Sequence, residues 1–242
     1  DGKSPQEALQ LLLSEDEGRE FRQVAIIGAE GNTAASTGNK CIPEAGHINK
    51  EYFSVQANLM LKNTVWKAME KAFTSTEAPL AERLIAALEA AQAAGGDIRG
   101  KQSAAITVVR GESTGKLWED RLIDLRVEDH PYPVKELKRL LKVHRAYEHM
   151  NAGDVAVERG NIEKALLEYS TAEKMLPENN LEMKYWHAVS LANVGRLEEA
   201  LPLFKEVFQA DSNWKILTPR LVPNGLLEVS DQQLQQILNI KE

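Results

Sequence analysis

The stretch Ala93–Ala105, AAGGDIRGKQSAA, lies between a helix-patterned run and a segment, 106–109, that is typical of a buried strand. Its three glycines suit a chain that adopts unusual backbone angles or lies close to a ligand. A polar cluster at such a junction is typical of a satisfied turn, and it also fits one wall of a polar pocket. The cluster contains four groups able to bind a ligand: Asp97, Arg99, Lys101 and Gln102.

Strands and helices alternate on the N-terminal side of this stretch. The run SPQE at 4–7 combines a cap serine, a first-turn proline and a glutamate three residues after the cap, which predicts a helix start. Residues 24–27 and 33–37 are typical of the two strands of a hairpin. Residues 38–46 read as a loop that leads to His47, and apolar and polar residues alternate at 53–58, which predicts another strand.

Helices and a further hairpin complete this part of the chain. Residues 104–109 and 117–127 have the patterns of two strands, and Pro133 opens another helix. Blocks of hairpins and helices favour antiparallel sheets covered by helices, so the predicted fold class is α+β. Two helices are predicted from apolar residues at helical spacing, namely Val65, Met69 and Phe73 in one and Leu80, Leu84, Leu88 and Ala91 in the other.

Composition and charge exclude several classes of protein. The 242 residues suit one large domain or two ordinary ones, and the net charge is −7. Residues 1–143 carry a net −2 and residues 144–242 a net −5, which favours a domain boundary near 143. We expect no nucleic-acid partner because no basic patch is present, and no membrane span because no apolar run approaches about 18 residues. The single Cys41 excludes a disulfide framework, and we expect neither a metal nor a cofactor.

From about residue 146 the pattern becomes purely helical and repeats with a period of 35 residues. Its small and aromatic residues have the spacing of a tetratricopeptide repeat, in which small residues allow two helices to approach closely. We predict two repeats in a domain spanning 144–242, closed by a C-terminal capping helix around Leu234–Leu238. The signature positions are Gly153, Gly160, Ala165, Tyr169, Ala172 and Pro177 in the first repeat, and Gly195, Ala200 and Phe204 in the second.

The first 143 residues resemble a known family. The resembling segments cover about residues 5–135, and the most specific is the GGD-x-RG-x-QSAA run at 95–105. The others are 22–24, 37–38, 41, 45–47, 53–58 and 124–131. These segments are similar to the domain of unknown function 1028, a family assigned to the N-terminal-nucleophile (Ntn) hydrolase superfamily. The chain departs from it at Glu44 and Ala57, where the family often has tryptophan and glycine.

The resemblance implies a partial αββα sandwich of antiparallel sheets for residues 1–143. It also implies amide hydrolysis by a terminal Thr, Ser or Cys whose own α-amino group serves as the base. Asp1 is none of these, so we expect the nucleophile before Asp1, in a native start that this sequence lacks. Any localisation signal would lie there too, and the compartment therefore stays open.

Seven residues are candidates for binding a substrate, each with a structural alternative. One group, Asp97, Arg99 and Gln102, either orients a polar substrate or holds a glycine-rich loop in place. The other group, Gln56 and Asn58, lies on one face of a strand, and this face either lines a pocket or forms a hydrogen-bonded edge.

The remaining two candidates are histidines: His47 follows a loop, and His130 lies at the end of a strand. His47 lies near Cys41, although a mid-chain cysteine is more often a small buried hydrophobe. His130 follows Asp129 and precedes Pro131, which is typical of a strand end as well as of an acid–base pair.

Two functions fit these features. The first is an amidohydrolase of the Ntn type that acts on a small or peptide-like amide and carries a repeat module for a protein partner. The alternative is a non-catalytic ligand-binding scaffold that recruits partners through the repeats. Self-association is compatible with either, and the substrate, the nucleophile and the partner stay open.

Overall fold

The computed structural model describes residues 2–176 and 180–240. Contacts between Cα atoms divide the chain into two compact units, one that ends at Arg139 and one that begins at Leu140. The predicted boundary near 143 lies within the long helix α5 (Pro133–Glu158). The sequence-based inferences about Asp1 and Pro177 fall outside the described residues.

The first unit opens with helix α1 (Pro5–Glu15), as predicted. The Ser4 hydroxyl accepts a hydrogen bond from the Glu7 backbone N–H, and the Glu7 carboxylate accepts one from the Ser4 backbone N–H at 2.8 Å. This reciprocal capping box satisfies two backbone donors that the first turn of a helix leaves unpaired.

Three antiparallel hairpins form the strands of the first unit. The first joins β1 (Gln23–Ile27) to β2 (Thr33–Thr37), the second β3 (Gly46–Lys50) to β4 (Phe53–Ala57), and the third β5 (Ala104–Val109) to β6 (Arg121–Val127). The α+β class and the hairpin predicted from residues 24–27 and 33–37 are thereby confirmed.

Two strand boundaries differ from the prediction. Strand β3 begins at Gly46, where a loop was predicted to end, because GHINK has no apolar alternation and pairs through its backbone with β4. The strand predicted from 117 begins at Arg121 instead. Residues 117–120 form the short helix α4 (Leu117–Asp120), and Trp118 is 78% exposed there, so its apolar character does not mark a buried strand position.

Helices α2 (Val65–Ser75) and α3 (Leu80–Ala93) pack against each other, α2 also against β3 and β4, and α3 also against β5. Val65 and Phe73 are buried on α2, as the spacing predicts. On α3 the buried face is shifted by one residue from the predicted one, because Ala81 and Ile85 are buried whereas Leu80 is half exposed.

The second unit is helical throughout its described part. It contains the end of α5 and the helices α6 (Ile162–Met175), α7 (Leu181–Asn193), α8 (Leu197–Ala210), α9 (Asn213–Leu221) and α10 (Asp231–Leu238). Its main core gathers residues from α7, α8, α9, α10 and the segment between the last two. The fully buried side chains at its centre are Tyr185, Phe204, Leu227 and Ile237.

The residues that recur at 35-residue spacing occupy equivalent environments. Ala165 and Ala200 are both buried on the second helix of a pair, and Gly160 and Gly195 both have positive φ angles at the end of the first. A Cβ atom at Gly153 would lie only 2.8 Å from the Tyr169 ring, so the absence of a side chain there permits the close packing of α5 on α6. Tyr169, Ala172 and Phe204 are also buried.

Two buried polar side chains of this unit, Tyr169 and Lys184, are paired. The Tyr169 hydroxyl donates to Asp154 at 2.6 Å, and the pKa of Tyr169 is raised by burial and by this carboxylate. Lys184 is nearly buried and forms an ion pair with Glu206. Such pairing is needed because an unpaired charge inside a helical core is strongly destabilising.

We expect Phe204→Ala to lower the free energy of unfolding by about 3–5 kcal/mol, since it removes a ring that is 0% exposed and packs on Tyr185 and Phe208. Urea unfolding followed by far-ultraviolet circular dichroism measures this loss. Leu167→Ala, at a side chain that is 65% exposed, is the control and should change stability by less than about 0.5 kcal/mol. Equal losses in both variants would contradict the assignment of Phe204 to the core.

Candidate ligand-binding cavity

The first unit contains a cavity of about 690 Å³. Its walls come from β1, the end of β4, helices α2 and α3, the segment 96–105 and the start of α5. The conspicuous glycine-rich stretch thus forms one side of a real cavity. Sites for small molecules commonly have volumes of about 300–1,000 Å³.

Backbone hydrogen bonds hold the glycine-rich segment in place. Leu61 N–H donates to the Gly96 carbonyl at 2.9 Å, and Ile98 N–H donates to the Leu59 carbonyl at 2.9 Å. Gly96 has a φ angle of 63°, a conformation that is costly for residues with a Cβ atom. At the other end of the segment, His130 N–H donates to the Gln102 carbonyl at 2.9 Å.

Asp97 and Arg99 bind each other within this segment. The Arg99 Nε and backbone N–H donate to Asp97 Oδ1 at 3.0 and 2.8 Å, and Arg99 Nη2 donates to Oδ2 at 2.6 Å. The Arg99 guanidinium holds the pKa of Asp97 below its ordinary value, and Asp97 in turn raises the pKa of Arg99. Both residues line the cavity, and their hydrogen bonds are those of a pinned turn.

Three predicted amide side chains also line the cavity: Gln56, Asn58 and Gln102. The Gln56 amide nitrogen donates to the Ser54 hydroxyl. The Oδ1 atom of Asn58 is buried and has no hydrogen-bond partner among the described residues. Both residues thus line the cavity, but the unpaired oxygen of Asn58 is shielded from solvent.

The two histidine candidates do not line the cavity. His47 Nδ1 lies 2.8 Å from the Thr37 hydroxyl, and His130 Nδ1 accepts a hydrogen bond from the Tyr132 backbone N–H at 2.9 Å. Cys41 Sγ donates to the Arg22 carbonyl at 3.4 Å rather than to His47. Cys41 is therefore not paired with His47, and neither histidine reaches the cavity.

Sequence reasoning missed Gln23, which lines the cavity and connects two hairpins. Its Nε2 atom lies within hydrogen-bonding distance of the Thr37 hydroxyl at 3.0 Å, the Gly46 carbonyl at 3.2 Å and the Ala57 carbonyl at 3.0 Å. The available signal was a polar side chain at the start of an otherwise apolar strand.

No metal centre or membrane span is evident in the described part of the chain. There, no group of three or more His, Cys, Asp or Glu side chains is arranged to hold a metal ion. None of the helices described is long and apolar enough to cross a membrane.

Comparison with known proteins identifies the family. Residues 1–137 match the model of a family of unknown function, DUF1028. The chain belongs to the DUF1028 family. The match ends within α5 and covers the whole cavity lining, so the cavity is a feature of the DUF1028 part of the chain.

Two relatives extend this comparison. The crystal structure of protein SPO2555 from Silicibacter pomeroyi, also a DUF1028 protein, is similar with a TM-score of 0.51 and 31% sequence identity, over 59% of this chain and 60% of that one. The uncharacterized protein C8orf76 homolog of Rattus norvegicus is 41% identical over 73 residues, which are 28% of this chain. The chain thus spans a fifth of the length of the rat protein and three fifths of the bacterial one.

We expect Gln23→Leu to lower the free energy of unfolding by about 1–3 kcal/mol, because leucine lacks the two N–H donors that the Thr37 hydroxyl and the Gly46 and Ala57 carbonyls share. Chemical denaturation measures the change. Gln10→Leu, at an exposed position of α1, is the matched control and should stay within about 0.5 kcal/mol of the parent protein. If the two variants are equally stable, Gln23 does not connect the hairpins.

We also expect the Asp97 carboxylate to titrate below its ordinary pKa of about 3.9, because Arg99 donates to its ionised form. Since the pKa of Asp97 is lowered on folding, the pair stabilises the turn above the ordinary pKa, and this contribution is lost as the pH falls through the lowered value. Carboxyl-detected NMR titration measures the pKa. Arg99→Gln should raise it towards the ordinary value, whereas Arg126→Gln, at an equally exposed arginine bound to Glu128, should leave it unchanged.

Proposed function

We propose that the first unit is an Ntn-hydrolase-like domain of the αββα type that binds and hydrolyses a small or peptide-like amide. The observation that carries this proposal is a cavity of about 690 Å³ whose wall includes the family segment 96–105 and three side-chain amides. Side-chain amides supply both donors and acceptors, which complement the C=O and N–H of an amide substrate. Gln56, Asn58 and Gln102 are the proposed substrate-binding residues, and Asp97 with Arg99 shapes the wall that holds Gln102.

The proposed reaction is acyl transfer to water. In an Ntn hydrolase the hydroxyl or thiol of the N-terminal residue attacks the amide carbon, and the α-amino group accepts its proton and passes it to the leaving amine. Water then attacks the acyl-enzyme and releases the acid. The cavity would hold the amide against this nucleophile, and Gln102 or Asn58 would donate to the developing oxyanion from its amide nitrogen.

We propose further that the second unit is a pair of tetratricopeptide repeats that recruits a protein partner. The support is the 35-residue equivalence of Gly160 with Gly195, Ala165 with Ala200, and Tyr169 with Phe204, together with the burial of the alanines and the aromatic residues. Two repeats expose faces that longer arrays cover with further repeats, and α10 would serve as one end.

One observation favours the alternative of a non-catalytic binding domain. Ser103 is a hydroxyl nucleophile that lines the cavity, and in the described structure its side chain makes no hydrogen bond to a base. A serine without a base is a weak nucleophile at neutral pH. A binding domain would use the same cavity and amides without turnover.

Intact-mass analysis and N-terminal sequencing of the protein as its host produces it test the enzymatic proposal. We expect a mature N-terminus of Thr, Ser or Cys and hydrolysis of an amide library by this form. Alanine at that terminal position should reduce turnover by at least about a thousandfold, because the residue supplies the nucleophile. A mature chain with any other terminus, together with tight ligand binding and no turnover, would establish the binding domain instead.

A further inference from the structure

A groove follows helix α6 in the second unit. One hollow of about 500 Å³ lies between α6 and α8, with Leu166 and Leu167 on one wall and Leu203 on the other. A second hollow of about 330 Å³ lies at the start of α6, next to the end of α7 and the segment 225–228. Leu166 lines both hollows, so the two together are called the α6 groove.

Aliphatic side chains with accessible surface line both hollows. In the first hollow, Leu167 is 65% exposed, and Leu166 and Leu203 are partly buried. Single exposed apolar residues are common, but apolar surface that is contiguous over several elements is typical of an interaction site. The second hollow adds four aliphatic side chains that are also at least partly accessible: Val157, Ile162, Val194 and Leu226.

Each hollow contains one carboxylate that no Lys or Arg neutralises. In the first hollow, Arg196 and Glu199 bind each other through two hydrogen bonds of 2.6 Å, whereas Glu173 accepts a hydrogen bond from His187 Nδ1 at 2.8 Å, which holds the pKa of Glu173 below its ordinary value. In the second hollow, the exposed carboxylate of Glu228 forms no ion pair with any residue that the structure describes.

The charge of the groove therefore favours a basic partner. With His187 neutral, the lining of the two hollows carries a net −2, and residues 144–242 together carry a net −5. An acidic rim around apolar surface attracts a partner that combines basic and apolar side chains.

The hydrogen bonds of the groove favour a helix over an extended peptide. The Ser170 hydroxyl donates to the Leu167 carbonyl at 3.0 Å, and the Asn193 amide is occupied by the Leu226 carbonyl at 3.1 Å and the Glu228 N–H at 2.8 Å. These side chains are thus not free to bind the backbone of an extended peptide, whereas a helix satisfies its own backbone groups.

The length of the groove also suits a helix. Ile162 and Glu173 mark its extent along α6, and they lie about 16 Å apart at the helical rise of 1.5 Å per residue. Three turns of a partner helix have the same length and present apolar residues at i, i+4 and i+7 on one face.

We propose that the α6 groove binds a basic amphipathic helix of a protein partner, whose apolar residues fill the two hollows and whose Lys or Arg side chains pair with Glu173 and Glu228. This inference rests on the proposed recruitment of a protein partner by the second unit. It adds the surface that the partner contacts and the chemistry of the segment that it presents.

Fluorescence anisotropy of the intact protein with a labelled amphipathic peptide tests the proposal. The probe is a helix of about 14 residues made of leucine on one face and lysine on the other. Three related peptides remove one feature each: glutamine replaces leucine, glutamate replaces lysine, or the same residues are scrambled so that no apolar face forms. We expect the probe to bind and each related peptide to bind at least about tenfold more weakly, since each loses buried leucines or the charge attraction.

Variants assign the apolar contact to the groove. Leu167→Asp should weaken binding of the probe at least about tenfold, because it removes apolar surface and puts a charge into the first hollow. Ile216→Asp is the matched control, since Ile216 is 54% exposed on α9 and lines neither hollow. Leu226→Asp, in the second hollow, tests the same contact if circular dichroism shows that Leu167→Asp does not fold.

A charge reversal tests the ion pairs. Glu228→Lys should weaken binding of the probe about three- to tenfold, because it reverses the charge at the second hollow. Glu112→Lys makes the same change of net charge at an exposed position of the first unit and should leave the affinity unchanged.

Three results would overturn the inference: no binding of the probe, equal binding of the probe and its scrambled form, or equal effects of Leu167→Asp and Ile216→Asp. Affinity purification from the host separates this inference from the proposed recruitment. A partner that Leu167→Asp retains as well as the parent protein does would support recruitment and overturn the α6 groove as its site. Binding of the probe at the groove, with no partner recovered by the parent protein, would support the groove and count against recruitment.

Discussion

The first unit depends on the backbone pairing between the chain that follows β4 and the glycine-rich segment. Two hydrogen bonds, Leu61 to Gly96 and Ile98 to Leu59, bring Asn58 and Asp97 to one cavity although they are distant in sequence. The pairing requires a positive φ angle at Gly96, which only glycine adopts at low cost. The glycine at this position is therefore needed for the geometry of the cavity wall.

The two units are stabilised in different ways. In the first, hydrogen bonds of Gln23, of Thr37 with His47 and of Thr33 with the Lys50 carbonyl connect two small hairpins. In the second, large apolar side chains such as Tyr185 and Phe204 form a continuous helical core, and buried alanines let the helices approach. Membership of DUF1028 establishes which proteins the chain is related to, but it does not assign a reaction or a ligand to the cavity.

The sequence predicted the cavity residues that a local pattern marks, and it missed those that are defined by contacts between distant segments. Gln56, Asn58, Asp97, Arg99 and Gln102 were all identified from local pattern, and all line the cavity. The two histidines were identified on the same grounds and do not, because a loop or strand-end position says nothing about which space a ring faces. Gln23 was missed, since its contact with the Ala57 carbonyl joins residues 34 positions apart. Strand β3 was missed because its sequence pattern is polar and its pairing with β4 defines it.

The sequence by itself determined the features that neighbouring residues decide. These are the capping box at the start of α1, the alternation of hairpins and helices, and the 35-residue spacing of small and aromatic residues in the second unit. Backbone propensity and side-chain periodicity act over a few residues, so they can be recognised from the sequence alone. Only the tertiary structure decided that Asn58 carries an unpaired buried oxygen and that Lys101 stands at the rim of the same cavity. Burial and hydrogen-bond pairing depend on which distant segments pack together, and the free energy of that packing is a property of the whole unit.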